Sequence, residues 1–413
     1  MKMTKTKQAA RHALAALAIG LVGGAAAGGL AAPAANQATV TAPRFEVDPL
    51  WPKPLPNHWI LGSVVGVAVD ADDHVWITHR GTQTVDENEK RLDSKTANCC
   101  AVAPPILEFD QAGNLLRHWG GPGAGYEWPT AMHAISFDDQ GNLWLGGNGK
   151  DDSQVLKFTK DGKFLLQVGK KGARHKPGAP KGEGQYGATA DYAGNSNDPE
   201  SFGKVAQIFV DKATNEAFLA DGYLNKRVAV IDANTGKFKR GWGAYGSAPV
   251  DTPLPDYDPS QPPSKIFRNP VHCAQLSVDR LLYVCDRRND RIQVFTPEGK
   301  FVKEEFYDTN TKGSGAIWDI TPSRDAAQKY LYVADGTNNQ IKVIDRKSLA
   351  LLTTFGDGGR QPGQFYGVHS IATDSKGNLY TTETWEGKRV QRFLFKGVGP
   401  VPREQGVVWP AHR

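Results

Sequence analysis

The sequence predicts an all-β fold, a six-bladed β-propeller with four short antiparallel strands in each blade. A unit of similar pattern occurs six times along the 413 residues. Within each unit, apolar and polar residues alternate with a period of two, which is typical of β-strands. Turn motifs that resemble Asp-x-x-Gly-Asn separate the strands. Radial repetition of four-stranded sheets around a central channel is the architecture of a propeller.

The six units follow one another along most of the chain. The clearest copies contain "FDDQGNLWLGG" and "TDSKGNLYTTE", in which a Gly-Asn turn leads into the second strand. The units cover residues 67–120, 134–169, 208–243, 274–306, 319–356 and 370–395. The pattern resembles NHL repeats, which form six-bladed propellers. The segment "RFEVDPLW" (44–51) is the candidate strand for joining the first blade to the last.

Two segments interrupt the repeat and are predicted to be long loops. Residues 170–202 are rich in Gly, Lys and Asp, and residues 247–268 are rich in Pro. Long loops in a compact domain are often lids or binding segments. We expect the propeller to span 40–400 and a C-terminal tail to span 401–413.

The first 35 residues have the three regions of a secretory signal peptide. Four basic residues precede an Ala/Gly/Leu-rich run at 13–30, and small residues follow it. The alternative is a membrane anchor, but the many Gly and Ala residues make the run less apolar than a Leu-rich span. No other segment is apolar enough to cross a bilayer as a helix, so we expect export to the periplasm or the medium.

Loss of the signal peptide changes the charge of the chain. Its four positive charges, taken from a formal net charge of +5, leave +1 on the mature chain. No basic stripe is present that would indicate a nucleic-acid partner.

The four cysteines fall into two pairs. Cys99 and Cys100 are adjacent, and Cys273 and Cys285 flank a predicted hairpin around Asp279-Arg280. An exported protein can form the second pair as a disulfide, while two buried thiols are the alternative. None of the four has zinc-finger spacing.

Histidine occupies one equivalent position in alternate units. The motifs are "AMHAISFDD" with His133, "PVHCAQL" with His272 and "GVHSIATD" with His369. The same position in the other units holds approximately Val65, Ala206 and Ala316. Because the first strand of each blade lines the channel, three alternate imidazoles, about 120° apart, converge on the axis. This pattern predicts a metal centre with open coordination positions, which suits Zn²⁺, although Cu, Ni or Fe also bind imidazole.

Three further side chains are predicted on the face where the histidines begin. Because neighbouring strands are antiparallel, the end of each second strand lies beside the start of the first. Arg80, Tyr223 and Arg287 occupy such strand ends. Nearby positive charge favours a phenolate, so Tyr223 is a candidate general base. Arg80 or Arg287 can hold a carboxylate through a bidentate pair. The alternatives are surface salt bridges for the arginines and a packed ring for the tyrosine.

These motifs resemble the peptidyl-α-hydroxyglycine α-amidating lyase family, the second catalytic unit of the peptide-amidating system. The resemblance covers nearly all of the mature chain and is most specific in "HRG", "DGYLNKRV", "PVHCAQL", "CDRRNDRIQVF" and "GVHSIATD". It implies zinc bound by His133, His272 and His369. It also implies Tyr223 as the base, with Arg80 and Arg287 holding the substrate.

The resemblance further implies a reaction that breaks the C–N bond of a carbinolamide and gives an amide and glyoxylate without a redox cofactor. The expected partner is a small molecule or peptide that bears a carboxylate. Two positions depart from the family pattern. Ser370 replaces the Asp associated with a structural Ca²⁺, and Leu224 replaces a Cys of the animal members. A different α-hydroxy amide or hemiaminal is the alternative substrate.

Two other functions remain open from the sequence. One is a non-catalytic NHL propeller that binds a protein or glycan, and the other is a metal-dependent hydrolase such as a lactonase. A pure binding propeller gives no reason for histidines in alternate blades. Lactonase sites on this fold resemble oxygen cages for Ca²⁺, which differ from a set of three histidines.

Overall fold

The computed structural model describes residues 39–179 and 188–410. The predicted signal peptide, residues 1–35, lies outside the described residues. In chain order the strands are β1 (Thr39–Asp48), β2 (Trp59–Ile60), β3 (Val64–Val69), β4 (Val75–His79), β5 (Ala101–Val102), β6 (Ile106–Phe109), β7 (Leu115–Trp119), β8 (Met132–Phe137), β9 (Leu143–Gly147), β10 (Gln154–Phe158), β11 (Phe164–Gly169), β12 (Val205–Asp211), β13 (Glu216–Asp221), β14 (Arg227–Asp232), β15 (Phe238–Trp242), β16 (Val271–Leu276), β17 (Leu282–Asp286), β18 (Arg291–Phe295), β19 (Phe301–Phe306), β20 (Asp319–Pro322), β21 (Tyr330–Asp335), β22 (Gln340–Asp345), β23 (Leu351–Phe355), β24 (Val368–Thr373), β25 (Leu379–Glu383) and β26 (Val390–Pro402).

Six four-stranded antiparallel sheets form the blades, which confirms the predicted six-bladed propeller. Their strand orders are β3-β4-β6-β7, β8 to β11, β12 to β15, β16 to β19, β20 to β23 and β24-β25-β26-β1. The fourth strands are only partly buried, as the pattern of β7 shows, whereas β4 and β6 are buried throughout. The apolar cores therefore lie between neighbouring blades and the outermost strands face solvent.

The ring closes through its N-terminal strand. β1 pairs antiparallel with β26, from Thr39 opposite Pro402 to Asp48 opposite Arg392. The sequence predicts this closing strand at 44–51, and the structure begins it five residues earlier. One sheet thus contains strands from both ends of the propeller, which closes the ring.

The turns at one end of the blades are held by buried carboxylates. In blade 2, Asp138 Oδ1 accepts hydrogen bonds from the backbone N–H groups of Gln140 and Asn142. Its Oδ2 pairs with Lys157 Nζ at 2.7 Å. The Asp-x-x-Gly-Asn motif therefore sets the tight turn between the first and second strands.

The loops at the opposite end form what we term the upper face. They join second to third strands and fourth strands to the next blade, and include residues 81–104, 188–204 and 247–268. The first of these loops contains a short helix, α1 (Gly81–Thr84), and the β2–β5 parallel pair. The sequence did not indicate this insertion because its polar residues carry no strand or repeat pattern. Two 3-10 segments, Ala244–Gly246 and Arg287–Asn289, also lie on this face.

Both cysteine pairs are disulfide-bonded. Cys273 and Cys285 are directly opposite on β16 and β17, with Cα atoms 4.8 Å apart. Cys99 and Cys100 form a bond between adjacent residues in the upper-face loop of blade 1. The structure thus decides between disulfides and free thiols, which the sequence left open.

Among the helices of the described residues, none has the length and apolar character needed to cross a membrane.

Candidate metal centre

Three histidines converge on the channel axis, as the alternating pattern predicts. His133, His272 and His369 are each the second residue of their blade's first strand. The strand register shifts at each of these positions. A bulged residue leaves the regular pairing and can be aimed away from the sheet. The imidazole ring centroids lie 4.7 to 5.0 Å apart, and one ligand nitrogen from each lies within 4.8 Å of the others.

Backbone carbonyls of the intervening blades orient these rings. Nδ1 of His133 donates to the Ala206 carbonyl oxygen over 2.7 Å, and Nδ1 of His272 donates to the Trp318 carbonyl oxygen. The Val65 carbonyl faces the third ring, but Nδ1 of His369 does not form a hydrogen bond with it. A carbonyl only accepts, so the proton lies on Nδ1 of the first two rings and their Nε2 lone pairs point into the centre.

The position equivalent to the histidines in blade 5 is Trp318, which corrects the assignment of Ala316. Asp319 pairs with Ala334 on β21, and the residue before it takes the place that His272 has in blade 4. The Trp318 carbonyl accepts a hydrogen bond from His272, just as the Ala206 carbonyl accepts one from His133. The turn that follows β20 is longer than its counterpart in blade 4, since the Ser323 N–H donates to the Tyr330 carbonyl whereas the Ser277 N–H donates to the Leu281 carbonyl, and this difference offset the alignment.

Burial keeps the three imidazoles neutral. It lowers the pKa of His133, His272 and His369 well below 6.5. Positive charge adds to this lowering, from Arg80 and Arg287 at His133 and His369 and from Arg287 at His272. Neutral imidazole is the form that binds metal.

Tyr223 lies directly against the three rings. Its phenol oxygen is 2.9 Å from His133 Nε2 and 3.0 Å from His272 Nε2. The side chain is 8% exposed and its ring packs in the core between blades 3 and 4. The sequence left chemistry and packing as alternatives for this residue, and its position permits both.

The two predicted arginines reach the same point from opposite sides. Arg287 is buried, donates from Nη1 to the Tyr223 oxygen at 3.3 Å, and stacks 4.1 Å over the Trp318 ring. Arg80 donates from Nε to the Met132 carbonyl and from Nη2 to Asn148 Oδ1. These bonds fix the plane of each guanidinium beside the histidines, so all six predicted site residues lie together.

The donor set fits a metal ion. Tyr223 has one hydroxyl proton, whereas the Nε2 atoms of His133 and His272 both present a lone pair to its oxygen. One proton cannot satisfy two acceptors, and His369 brings a third imidazole to the same place. A cation held by the three nitrogens removes this shortage of donors. Three imidazoles with remaining open positions suit Zn²⁺ and other divalent transition metals.

In a second group of potential metal ligands, the carboxylates already pair with basic side chains of the protein. Asp70 pairs with Lys160 at 2.7 Å, and Glu108 pairs with His74 at 2.8 Å and Arg117 at 3.1 Å. Its carboxylates are therefore neutralised without an ion. Of the histidines expected to be structural, His79 donates to the Pro104 carbonyl and His175 stacks on Tyr192.

Two features of the site were not predicted from the sequence. Trp385 lies two residues beyond the second strand of blade 6, is 45% exposed and contacts Trp318 edge-on with ring centroids 5.3 Å apart. Below the histidines, a channel of about 710 Å³ runs along the first strands and is lined by Gln207, Asp319 and Ser370. Burial raises the pKa of Asp319 to about 7. Trp385 and Tyr223 both lie two residues beyond the second strand of their blade, and this equivalence was readable from the repeat, whereas the contacts of Asp319 were not.

No protein-family model matches the chain. Among curated proteins, it is 28% identical over 259 residues to the rat (Rattus norvegicus) peptidylglycine alpha-amidating monooxygenase, covering 60% of this chain and 22% of the relative. It is 25% identical over 335 residues to peptidyl-glycine alpha-amidating monooxygenase B of Xenopus laevis, covering 78% of this chain and 32% of that protein. The chain thus spans less than a third of the length of these relatives.

Two lyases are among the solved structures that align with the chain. A streptogramin B lyase aligns with a TM-score of 0.49 at 16% identity, covering 85% of this chain and 98% of that one. Virginiamycin B lyase from Staphylococcus aureus aligns with a TM-score of 0.45 at 15% identity, covering 87% and 89%. The assignment of the fold rests on the six sheets of the chain itself.

Proposed function

We propose that the chain is a metal-dependent lyase that cleaves the C–N bond of an α-hydroxyglycine-type carbinolamide to an amide and glyoxylate. One observation carries this proposal. A phenol oxygen lies 2.9 and 3.0 Å from two of three convergent imidazole nitrogens, with a guanidinium 3.3 Å away. A base beside a cation site and an anion-binding group are the parts that this reaction requires.

His133, His272 and His369 would hold the ion, and we propose Zn²⁺ as its identity. When bound, it supplies positive charge that polarises the hydroxyl oxygen of the substrate. Backbone carbonyls hold the rings of His133 and His272, and the surrounding core encloses all three rings.

Tyr223 is the proposed general base. Its oxygen takes the proton from the substrate hydroxyl, and the electron pair of that O–H bond becomes the second bond of the new aldehyde carbonyl. The C–N bond breaks, and the nitrogen leaves as the amide after taking up the proton that the Tyr223 phenolate accepted from the hydroxyl, which returns Tyr223 to the phenolate. The atoms balance without an oxidant or reductant. Arg287 favours this step because its guanidinium stabilises negative charge on the phenol oxygen.

Arg80 and Arg287 are proposed to place the substrate carboxylate. Both guanidinium planes are fixed by backbone or side-chain acceptors, which reduces the entropy lost when an anion binds. Trp385, half-exposed on the same face, offers an apolar surface to the acyl part of the substrate.

The relatives support the proposal in part. Proteins named as peptidyl-glycine alpha-amidating monooxygenases align with 60% to 78% of this chain. The motifs around Arg80, Tyr223, His272 and His369 resemble the lyase unit of that system. Both lines of support concern the class of reaction and leave the acyl part of the substrate open.

Release of glyoxylate tests the proposal. The purified protein is loaded with Zn²⁺ and assayed with an N-acyl-α-hydroxyglycine against a blank without protein. We expect release by the wild type and by His175→Ala, whose ring is exposed and stacks on Tyr192. We expect none above the blank from His272→Ala. Bound zinc without glyoxylate release would reject this substrate class, and equal release by His272→Ala would reject the site.

We also infer that the mature chain works in an oxidising compartment. Its four cysteines form two disulfides, which persist outside the reducing cytosol. Export through the predicted signal peptide predicts a mature N-terminus near residue 36, which N-terminal sequencing of the secreted protein would test.

A further inference from the structure

A hydrogen-bonded network crosses the channel one residue below the histidines. It consists of Gln207 on blade 3, Asp319 on blade 5 and Ser370 on blade 6, and we term it the cross-channel network. Each member directly follows, in the chain, a residue that lies level with the three histidines. Gln207 follows Ala206, Asp319 follows Trp318, and Ser370 follows His369.

Asp319 is the centre of the network and its oxygens are fully engaged. Oδ1 accepts from Gln207 Nε2 at 2.6 Å and from the Ile320 N–H at 2.9 Å. Oδ2 accepts from Ser370 Oγ at 2.7 Å and from the Ile371 N–H at 3.1 Å. Four donors around two oxygens leave no lone pair directed at an ion, so this carboxylate is not itself a ligand.

The network reaches a fourth blade through Gln207. Its Oε1 accepts the backbone N–H of Ala274 at 2.8 Å, on the strand that carries His272. A single carboxylate therefore ties together the strands that bear His272 and His369 and the strands whose carbonyls orient His133 and His272. Strands of different blades exchange few backbone hydrogen bonds, so such side-chain links decide how closely the four strands approach.

We propose that Asp319 is a positioning residue that sets the spacing of the three histidines for metal binding. Its burial without a protein cation in hydrogen-bond contact is costly for stability, which an apolar residue at this point of the channel would avoid. The carboxylate offsets that cost by positioning the metal ligands, because groups that orient ligands usually contribute 10-fold to 100-fold in metal affinity. The inference rests on the metal site of the proposed function and not on the reaction.

Replacement by asparagine is a sharp test because the amide cannot accept at both positions. Whichever way the new side-chain amide turns, its NH₂ group meets an N–H donor, that of Ile320 on one side or Ile371 on the other. Asp319→Asn is therefore expected to open the network while keeping the volume of the side chain. The double variant Gln207→Glu/Asp319→Asn moves the charge across the channel. There the introduced carboxylate accepts from Ala274 and from the new amide, and the amide oxygen accepts from Ser370 and Ile371. Only the Ile320 N–H then lacks its acceptor, and that contact lies within one strand and joins no two blades.

The measurement is Co²⁺ binding by the metal-free full-length mature protein, followed by d–d absorption and by competition with a chelator. We expect Asp319→Asn to bind Co²⁺ about 10-fold or more weakly, with a changed absorption band. The double variant is expected to recover most of the affinity and the wild-type band. Thr373→Val is the matched control. It removes a contact between blades 5 and 6 lower in the channel, and is expected to bind within twofold of the wild type.

Wild-type affinity and an unchanged band in Asp319→Asn would overturn the inference while leaving the metal site intact. Failure of the wild type to bind Co²⁺ would overturn the metal site and the inference together. If Asp319→Asn does not fold, the folded double variant decides: recovery of the band supports the inference, and a band unlike the wild type's overturns it.

Discussion

Replacing Tyr223 by Phe removes one oxygen atom from the centre and keeps the ring. The lost hydroxyl oxygen lies 2.9 Å from His133 Nε2 and 3.0 Å from His272 Nε2, and it accepts a hydrogen bond from Arg287 Nη1. General-base catalysis contributes about 10²-fold to 10⁴-fold, or about 3 to 5 kcal/mol of barrier. We therefore expect kcat to fall by that factor. The imidazole nitrogens are satisfied by the ion in the metal-bound protein, so metal content is expected to remain that of the wild type.

The effect on stability is expected to be small by comparison. The ring stays in its apolar cluster, and loss of a buried hydroxyl's net hydrogen bonding costs about 1 to 2 kcal/mol. Tyr307→Phe is the matched control, because it removes another buried hydroxyl, bonded to the Leu349 carbonyl at 2.7 Å, far from the centre. It should lose a similar free energy of unfolding and keep its kcat.

The assay is steady-state glyoxylate release with metal content measured on the same samples. A Tyr223→Phe protein that binds its metal and turns over within threefold of the wild type would refute the role of this residue as the base. A variant that loses its metal would instead show that the phenol oxygen contributes to holding the ion.

Three other predictions follow from individual contacts. Arg80→Lys should raise KM for a carboxylate substrate about 10-fold or more with a smaller change in kcat, because an ammonium cannot keep the planar contact to Asn148; equal KM values would contradict this. Burial lowers the pKa of His79 to about 4, so the unfolded chain takes up a proton below pH 6.5 before the folded one does. Stability should then fall with decreasing pH between 6.5 and 4 by about 1.4 kcal/mol per pH unit from this residue, and His79→Gln should reduce the slope measured by urea unfolding. The paired change Cys273→Ala/Cys285→Ala should lower the free energy of unfolding by about 3 kcal/mol, given the 12-residue separation, as judged by denaturation with and without reductant.

The fold and the principal site could be predicted from the sequence because both depend on repetition. Six copies of one unit define the ring, and the antiparallel order of strands places Arg80, Tyr223 and Arg287 beside the three histidines. Each of these inferences needs only the position of a residue within its unit.

The features that the sequence did not reveal depend on contacts between units. The Trp318 position was misassigned because the turn after β20, from Ser323 to Tyr330, is longer than the turn from Ser277 to Leu281 in blade 4. Asp319 looked like an ordinary first residue of a strand, since its partners Gln207 and Ser370 lie 112 and 51 residues away. Whether Cys273 and Cys285 form a disulfide depends on the register between β16 and β17, because a shift of one residue would move the two side chains apart. The sequence does not show that register.

Metal stoichiometry tests the central claim most directly. The mature protein is stripped with chelator, reloaded with Zn²⁺, desalted and analysed for metal per chain, alongside His133→Ala, His272→Ala, His369→Ala and the control His175→Ala. We predict one tightly bound ion per chain in the wild type and the control, and loss of that ion in each of the three variants. A wild type that retains no ion, or three variants that all retain it, would contradict the proposal of a three-histidine metal centre.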